Sequence, residues 1–273
     1  MKLLRVGEIG QERPAILDQD GNIRDLSTVV TDITASSIAQ LTNINISELP
    51  IIAPNIRIGA CIAHTIKFIG VGLNYLDHAA ETNAPIPKEP IIFNKWTSCI
   101  VGANDDIILP DGSTKTDWEV ELGVIIGKTC KNVSVEQALE YVLGYCVVND
   151  LSEREYQLER GGSWDKGKGF DTFGPIGPWL VTKDEIEDPQ NLELWLQVDG
   201  QTYQSGSTQN MIFSVAQLIS YISGFVRLEA GDIITTGTPK GVGMGQKPPV
   251  YLKKGQTITL GISQLGQQKQ CVK

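Results

Sequence analysis

A chain of 273 residues, 41% hydrophobic and 20% charged, is long enough to bury a full core as one large domain, or as one large and one small, and has the composition of a globular protein in water. Asp and Glu number 32 against 23 Lys and Arg, and the resulting formal charge of −9 argues against nucleic acid and anionic membrane as partners. The five cysteines (Cys61, Cys99, Cys130, Cys146, Cys271) are odd in number, scattered and never spaced as CxxC, which argues against a disulfide framework and a zinc site.

Reduced thiols of that kind suit a cytoplasmic protein, the expected location. The first seven residues carry no apolar signal core, and no apolar run is long enough to cross a bilayer. Residues 1–62 read as a small leading unit without evident chemistry. Within them, residues 16–23 form a hairpin turning at Asp20-Gly21, a pair that tolerates the positive φ of a tight turn. Residues 27–48 carry Ser and Thr caps with loosely helical spacing, and Pro50 and Pro54 suggest a boundary.

Residues 67–72 are a strand entering a glycine-marked turn. A dinucleotide fingerprint is discounted there, because the third glycine and a following acid-ended strand are missing. His78 and Glu81 then stand three apart, so on a helical turn the carboxylate neighbours the imidazole, fixes its tautomer and raises its basicity. That is how a water-activating base is made, although an ordinary surface pair has the same spacing. The proline-rich residues 83–90 read as a hinge or lid.

Residues 117–127 carry the chemistry. Their second half is a β-branched run ending in Gly, which predicts a buried strand, and alternation puts Glu119 and Glu121 on one face. A second apolar run, residues 144–149, ends in Asp150. Carboxylates crowded into a core repel unless a cation lies between them, and three oxygen donors from two strand ends make the incomplete hard shell that Mg²⁺ or Mn²⁺ accepts. The same acids also suit a solvated face, with Asp150 capping the helix that follows. With only His64 and His78 as imidazoles, an all-carboxylate site fits better than catalytic zinc.

Ser134 with Gln137 predicts a capped helix running to about Tyr145, and the run from Ser152 to Glu155 predicts a second that stops at Gly161-Gly162. Arg154 and Gln157 share a face of it, as surface residues or as contacts to an anionic substrate. Residues 165–175 are too glycine-rich for a helix; Lys168 there would neutralise an enolate beside a metal, or belongs to a solvated basic loop. Residues 192–204 are a hairpin turning at Asp199-Gly200, and Ser214 with Gln217 caps a helix reaching Phe225. A further strand delivers Thr236-Gly237-Thr238 to a glycine-dense loop, where amides and hydroxyls approach a carboxylate closely or a surface loop moves freely. Residues 255–272 alternate as terminal strands would.

Taken together, Gly72-Leu73-Asn74-Tyr75 with His78 and Glu81, Asp117-Trp118-Glu119-Val120-Glu121, Asn149-Asp150, Lys166-Gly167-Lys168-Gly169-Phe170-Asp171, and Gly231-Asp232 through Thr236-Gly237-Thr238-Pro239 resemble the fumarylacetoacetate hydrolase family, in family order from about residue 65 onward. The resemblance implies an α+β, mainly β fold: a mixed β-roll catalytic domain over residues 63–273 behind a small N-terminal domain over 1–62, usually as a homodimer. It implies Mg²⁺ or Mn²⁺ held by Glu119, Glu121 and Asp150. His78, Glu81 and Lys168 become the expected catalytic groups, and Arg154, Gln157, Gly237 and Thr238 the expected contacts to a small 2-keto or 2,4-diketo acid. The implied reaction is hydrolysis of a carbon–carbon bond with release of pyruvate. Its alternatives are oxaloacetate-type decarboxylation, hydration or isomerisation of a 2-keto acid, and ureidoglycolate lyase activity.

The run from Ser152 to Gly162 resembles the bacterial branch of 2,4-diketo-3-deoxy sugar-acid hydrolases. In the expected mechanism the metal polarises the 2-keto group, His78 and Glu81 take a proton from water, Thr238 and nearby amides hold the oxyanion, and Lys168 stabilises the pyruvate enolate. Many relatives carry a basic residue where this chain has Leu73, so the substrate carboxylate is expected to find its cation at Arg154 or Lys95.

Overall fold

The structure, a computed structural model, describes residues 1–42 and 44–273. Strands β1 (Lys2–Val6), β2 (Arg13–Leu17) and β3 (Ile23–Asp25) form an antiparallel meander, with the expected hairpin turn between β2 and β3. In chain order there follow β4 (Phe68–Gly72), helix α1 (Leu76–Glu81), β5 (Ile91–Lys95), β6 (Ile100–Gly102), β7 (Thr116–Asp117), β8 (Val120–Ile126), helix α2 (Val135–Ala138) and β9 (Val142–Asn149). After them come β10 (Ser152–Glu153), helix α3 (Trp164–Lys168), β11 (Gly174–Thr182), β12 (Glu193–Val198), β13 (Gln201–Ser207), helix α4 (Val215–Phe225), β14 (Ile233–Thr235), β15 (Thr257–Ile262) and β16 (Gly266–Cys271).

Ten strands build one sheet in the order β3-β2-β1-β11-β9-β8-β14-β4-β5, with β6 parallel to β11. A second sheet has the order β13-β12-β15-β16, and β7 and β10 pair as a short clip. β8 is buried at every residue, as a β-branched run flanked on both edges by β9 and β14 must be. Its alternate side chains Val120, Leu122, Val124 and Ile126 share a core with Leu194, Leu196, Ile258 and Leu260 of the second sheet and with Leu218, Ile219 and Ile222 of α4. Glu121 and Ile125 therefore take the opposite face. β1 pairs with β11, so the strands of the first segment extend the sheet that carries the acids, and the Met1 ammonium donates to Thr182 Oγ1 at 2.6 Å. Among the described residues no helix is long and apolar enough to cross a membrane.

Three local expectations are corrected. The helix expected from Ser134 to about Tyr145 is only α2 and one 3₁₀ turn, Leu139–Tyr141, because the apolar residues from Val142 onward are taken by the sheet, between β8 and β11. The capping box expected at Ser152 does not form: Ser152 pairs with Asp117 across the clip, its hydroxyl donates to Asp150 O, and Glu153 accepts from Thr116 Oγ1. The chain then makes a single π-helical turn, Glu155–Glu159, before Gly161 and Gly162. The segment expected to be non-helical holds α3, since Gly167 is there to let that turn approach: a Cβ on it would lie 2.6 Å from Gln157 N. The loose helical spacing of residues 27–48 resolves into two 3₁₀ turns, Ile38–Leu41 and Ile46–Glu48, with Asn43 outside the described residues. The Ser214–Gln217 capping box is present in full on α4.

Candidate active site

The register of three strands assembles the acids. Val120 pairs with Asn149, and Asp150 N donates to Glu119 O at 2.9 Å, so Asp150 leaves β9 opposite Glu119. On the other edge Thr235 pairs with Gly123, and the chain beyond β14 folds back on Glu121: Thr235 Oγ1 and Gly237 N donate to its Oε2 at 2.5 and 2.8 Å. Gly237 holds φ +92°, and a Cβ there would lie 2.7 Å from Asn74 Cβ, so only glycine brings its amide to the carboxylate. One carboxylate oxygen from each of Glu119, Glu121 and Asp150 lies within 4.8 Å of the others, and all three residues are buried.

Cations surround the trio. Lys168 Nζ, brought by α3, donates to Glu119 Oε2 at 2.5 Å and Asp150 Oδ2 at 2.7 Å. Arg154 donates through Nη2 to Glu119 Oε1 at 2.7 Å, through Nε to Asp117 Oδ2 at 2.9 Å and through Nη1 to Gln157 Oε1 at 2.9 Å. Lys95, fully buried at the end of β5, donates to Lys168 O and lies 2.7 Å from Asp150 Oδ1. Four acids (Asp117, Glu119, Glu121, Asp150) thus face three cations (Lys95, Arg154, Lys168), one positive charge short of balance.

The deficit falls on Glu121. Burial, then the charges of Asp150 and Glu119, push its carboxyl well above the usual carboxylate range. Burial acts on Glu119 in the same sense, but Lys168 and Arg154 outweigh it and hold that carboxyl down, at about 2. Asp150 Oδ1 is buried without a hydrogen-bond partner, the Lys95 contact being off hydrogen-bond angles. A carboxylate oxygen met only by an off-angle ammonium, a carboxyl destabilised by its neighbours and an all-oxygen donor set fit a hard divalent cation such as Mg²⁺ or Mn²⁺.

His78 and Glu81 sit on α1, with Nδ1 and Oε2 3.3 Å apart. Glu81 is anchored in turn by Gly241 N, at 2.9 Å from Oε1 and 3.1 Å from Oε2. Asp117 fixes the same loop two residues on, accepting from Gly243 N at 2.6 Å and Met244 N at 3.0 Å while it holds Arg154. The loop after Thr238 therefore ties the imidazole pair to the acid cluster.

A cavity of about 220 Å³ opens between them, lined by His78, Glu119, Glu121, Arg154, Gln157, Lys168, Gly237 and Thr238 among others. Larger hollows of about 710 and 560 Å³, beside Asp18 and Arg24 and between residues 109–114 and 249–254, contain none of the trio. Because Arg154 can only donate, the Gln157 atom facing it is the amide oxygen, which leaves the Gln157 NH₂ for a ligand.

Two expected roles change on these contacts. The Thr238 hydroxyl donates to Val120 O at 2.9 Å and accepts from Gln204 Nε2 at 2.7 Å, and the Gly237 amide is committed to Glu121, so neither group is free for an oxyanion. Lys95 is not in the cavity wall and serves Asp150, which leaves Arg154 as the nearer of the two expected carboxylate partners. Sequence reasoning passed over Asp117, Thr235, Phe93 and Trp164. Asp117 had a signal, since it stands two before Glu119 on the same alternation, whereas the aromatic pair had none.

The family profile described as fumarylacetoacetate (FAA) hydrolase, C-terminal, matches residues 67–273. A protein of Burkholderia lata, provisionally named a hydrolase, is 62% identical over 276 residues, spanning 99% of this chain and 98% of its own length. Among solved structures, a fumarylacetoacetate hydrolase from Exiguobacterium antarcticum superposes with a TM-score of 0.90 at 36% identity, covering 100% of this chain and 99% of that one. A 2-hydroxyhepta-2,4-diene-1,7-dioate isomerase from Mycobacterium marinum gives a TM-score of 0.80 at 32% identity, covering 100% and 98%.

Proposed function

The chain belongs to the fumarylacetoacetate hydrolase family, and on that premise we propose that it is a metal-dependent hydrolase of 2,4-diketo (acylpyruvate-type) acids, such as a 2,4-diketo-3-deoxy sugar acid, releasing pyruvate. The observation that carries the reading is the buried trio Glu119, Glu121 and Asp150, of which Glu119 and Glu121 line the same cavity as His78. Those three acids hold the divalent ion, which when bound supplies Lewis-acid polarisation of the 2-keto oxygen. The Arg154 guanidinium and Gln157 amide orient the acid. His78, backed by Glu81, takes a proton from water as its oxygen bonds to the C4 carbonyl carbon. The C3–C4 bond then breaks with its electron pair on C3, and the acyl fragment leaves as a carboxylic acid. Lys168 lies beside the developing enolate charge, which a proton returned to C3 converts to pyruvate. The working unit in this proposal is a homodimer.

Pyruvate release from acylpyruvates, followed with added Mg²⁺ or Mn²⁺ and again in excess chelator, tests the reading: activity with either ion and its loss in chelator is the expected outcome. Undiminished release in chelator contradicts it. The isomerase among the structural relatives keeps isomerisation as the second reading, and product analysis separates the two, because isomerisation changes the spectrum without yielding pyruvate.

A further inference from the structure

Away from the acids the cavity wall changes character. Leu73, Ile91, Phe93, Leu158, Trp164 and Met244 line it. Phe93 lies 5.0 Å from the Lys168 ammonium and is tilted against Trp164, their ring centroids 5.7 Å apart, so the apolar surface begins beside the reacting end. The hydroxyls in this wall are committed to the protein: Thr82 Oγ1 donates to His78 O, and Thr238 Oγ1 to Val120 O. Both cations in the wall, Arg154 and Lys168, are already paired with acids.

Leu73 adds an independent observation. It holds φ at 51°, a left-handed conformation costly for a leucine. Its neighbour Asn74 fixes it there, donating to Phe213 O and Thr236 O and accepting from Phe213 N. Strain of this kind persists only where the surroundings over-determine it, and here it sets an apolar side chain in the cavity wall.

Resting on the acylpyruvate reading, we propose that the acyl part of the substrate is short, uncharged and ends in hydrocarbon, seated on Leu73, Phe93 and Trp164, and that the chain discriminates against dicarboxylic substrates. Charge points the same way. A divalent ion turns the deficit of one positive charge into an excess of one, which a single carboxylate cancels, and the His78–Glu81 pair adds no net positive charge. A second carboxylate would lie against carbon without a partner. A deoxy sugar acid meets the requirement where its tail ends in a methyl group.

The test compares butanoylpyruvate with succinylpyruvate, which differ only in a terminal methyl against a terminal carboxylate, at saturating Mg²⁺. The expected kcat/KM for butanoylpyruvate is higher by at least about tenfold, and a smaller or reversed ratio overturns the proposal while leaving the hydrolase reading intact. Calorimetric binding of 2-oxoheptanoate and 2-oxoheptanedioate, which carry the same two ends and lack the C4 carbonyl, is expected to follow the same order. If neither acylpyruvate is cleaved the hydrolase reading falls, and this binding order still decides the proposal, equal or reversed affinities overturning it. Leu73→Arg is expected to lower the wild-type ratio by at least about tenfold, and an unchanged ratio overturns the assignment of Leu73 to the acyl seat.

Discussion

His78 reaches the cavity from a six-residue helix, and its carboxylate partner is held by the loop amide of Gly241. Because none of the trio touches the dyad by hydrogen bond or ion pair among the described residues, His78 can be removed without breaking a contact of the acid cluster. For His78→Ala the expected outcome is a fall in hydrolytic kcat by about 10² to 10⁴ with Mn²⁺ affinity unchanged, measured by pyruvate release and calorimetric titration. A variant that keeps full turnover places the water-activating base elsewhere. At this scale the sequence was informative where spacing alone determines geometry: three apart on a helix joined His78 to Glu81, and two apart where the chain enters β8 put Glu119 beside Glu121. It was silent where hydrogen bonds decide, because the Thr238 hydroxyl could be assigned to an oxyanion until Val120 O and Gln204 were seen to claim it.

Among the elements, the clip of β7 and β10 couples the site to its loop. Asp117 accepts from Trp118 N, Gly243 N and Met244 N and pairs with Arg154, so every lone-pair direction it offers meets a donor. Asp117→Asn replaces one acceptor by a donor facing donors, and leaves the Arg154 guanidinium short of a charge in a buried setting. The variant is expected to lose about 3 kcal/mol by chemical denaturation and to lower turnover, since Gly241 and the Glu81 anchor ride on the same loop. Unchanged stability means the clip does not hold the loop. The strands of this region were legible from β-branched runs and the α4 terminus from its Ser and Gln. The helices α2 and α3 were not, because strand pairing on both edges of β9 overrode one capping signal, and a glycine needed for close approach looks the same in sequence as one that breaks a helix.

Over the whole molecule, the trio exists only if β9, β8 and β14 keep register, since a slip of one residue would turn Glu121 to the opposite face. The core that Val120, Leu122 and Val124 share with the second sheet holds that register, so packing some distance from the acids sets their separation. Sheet order across such distances cannot be read from a single sequence, which explains why the pairing of β1 with β11 came only from the structure. The central claim is that these three carboxylates grip one divalent ion. The most direct test is anomalous diffraction from crystals of the chain soaked in Mn²⁺: the account predicts a single strong peak within coordination distance of oxygens from Glu119, Glu121 and Asp150, absent in Glu119→Ala. A peak elsewhere, or none at saturating Mn²⁺, would contradict it.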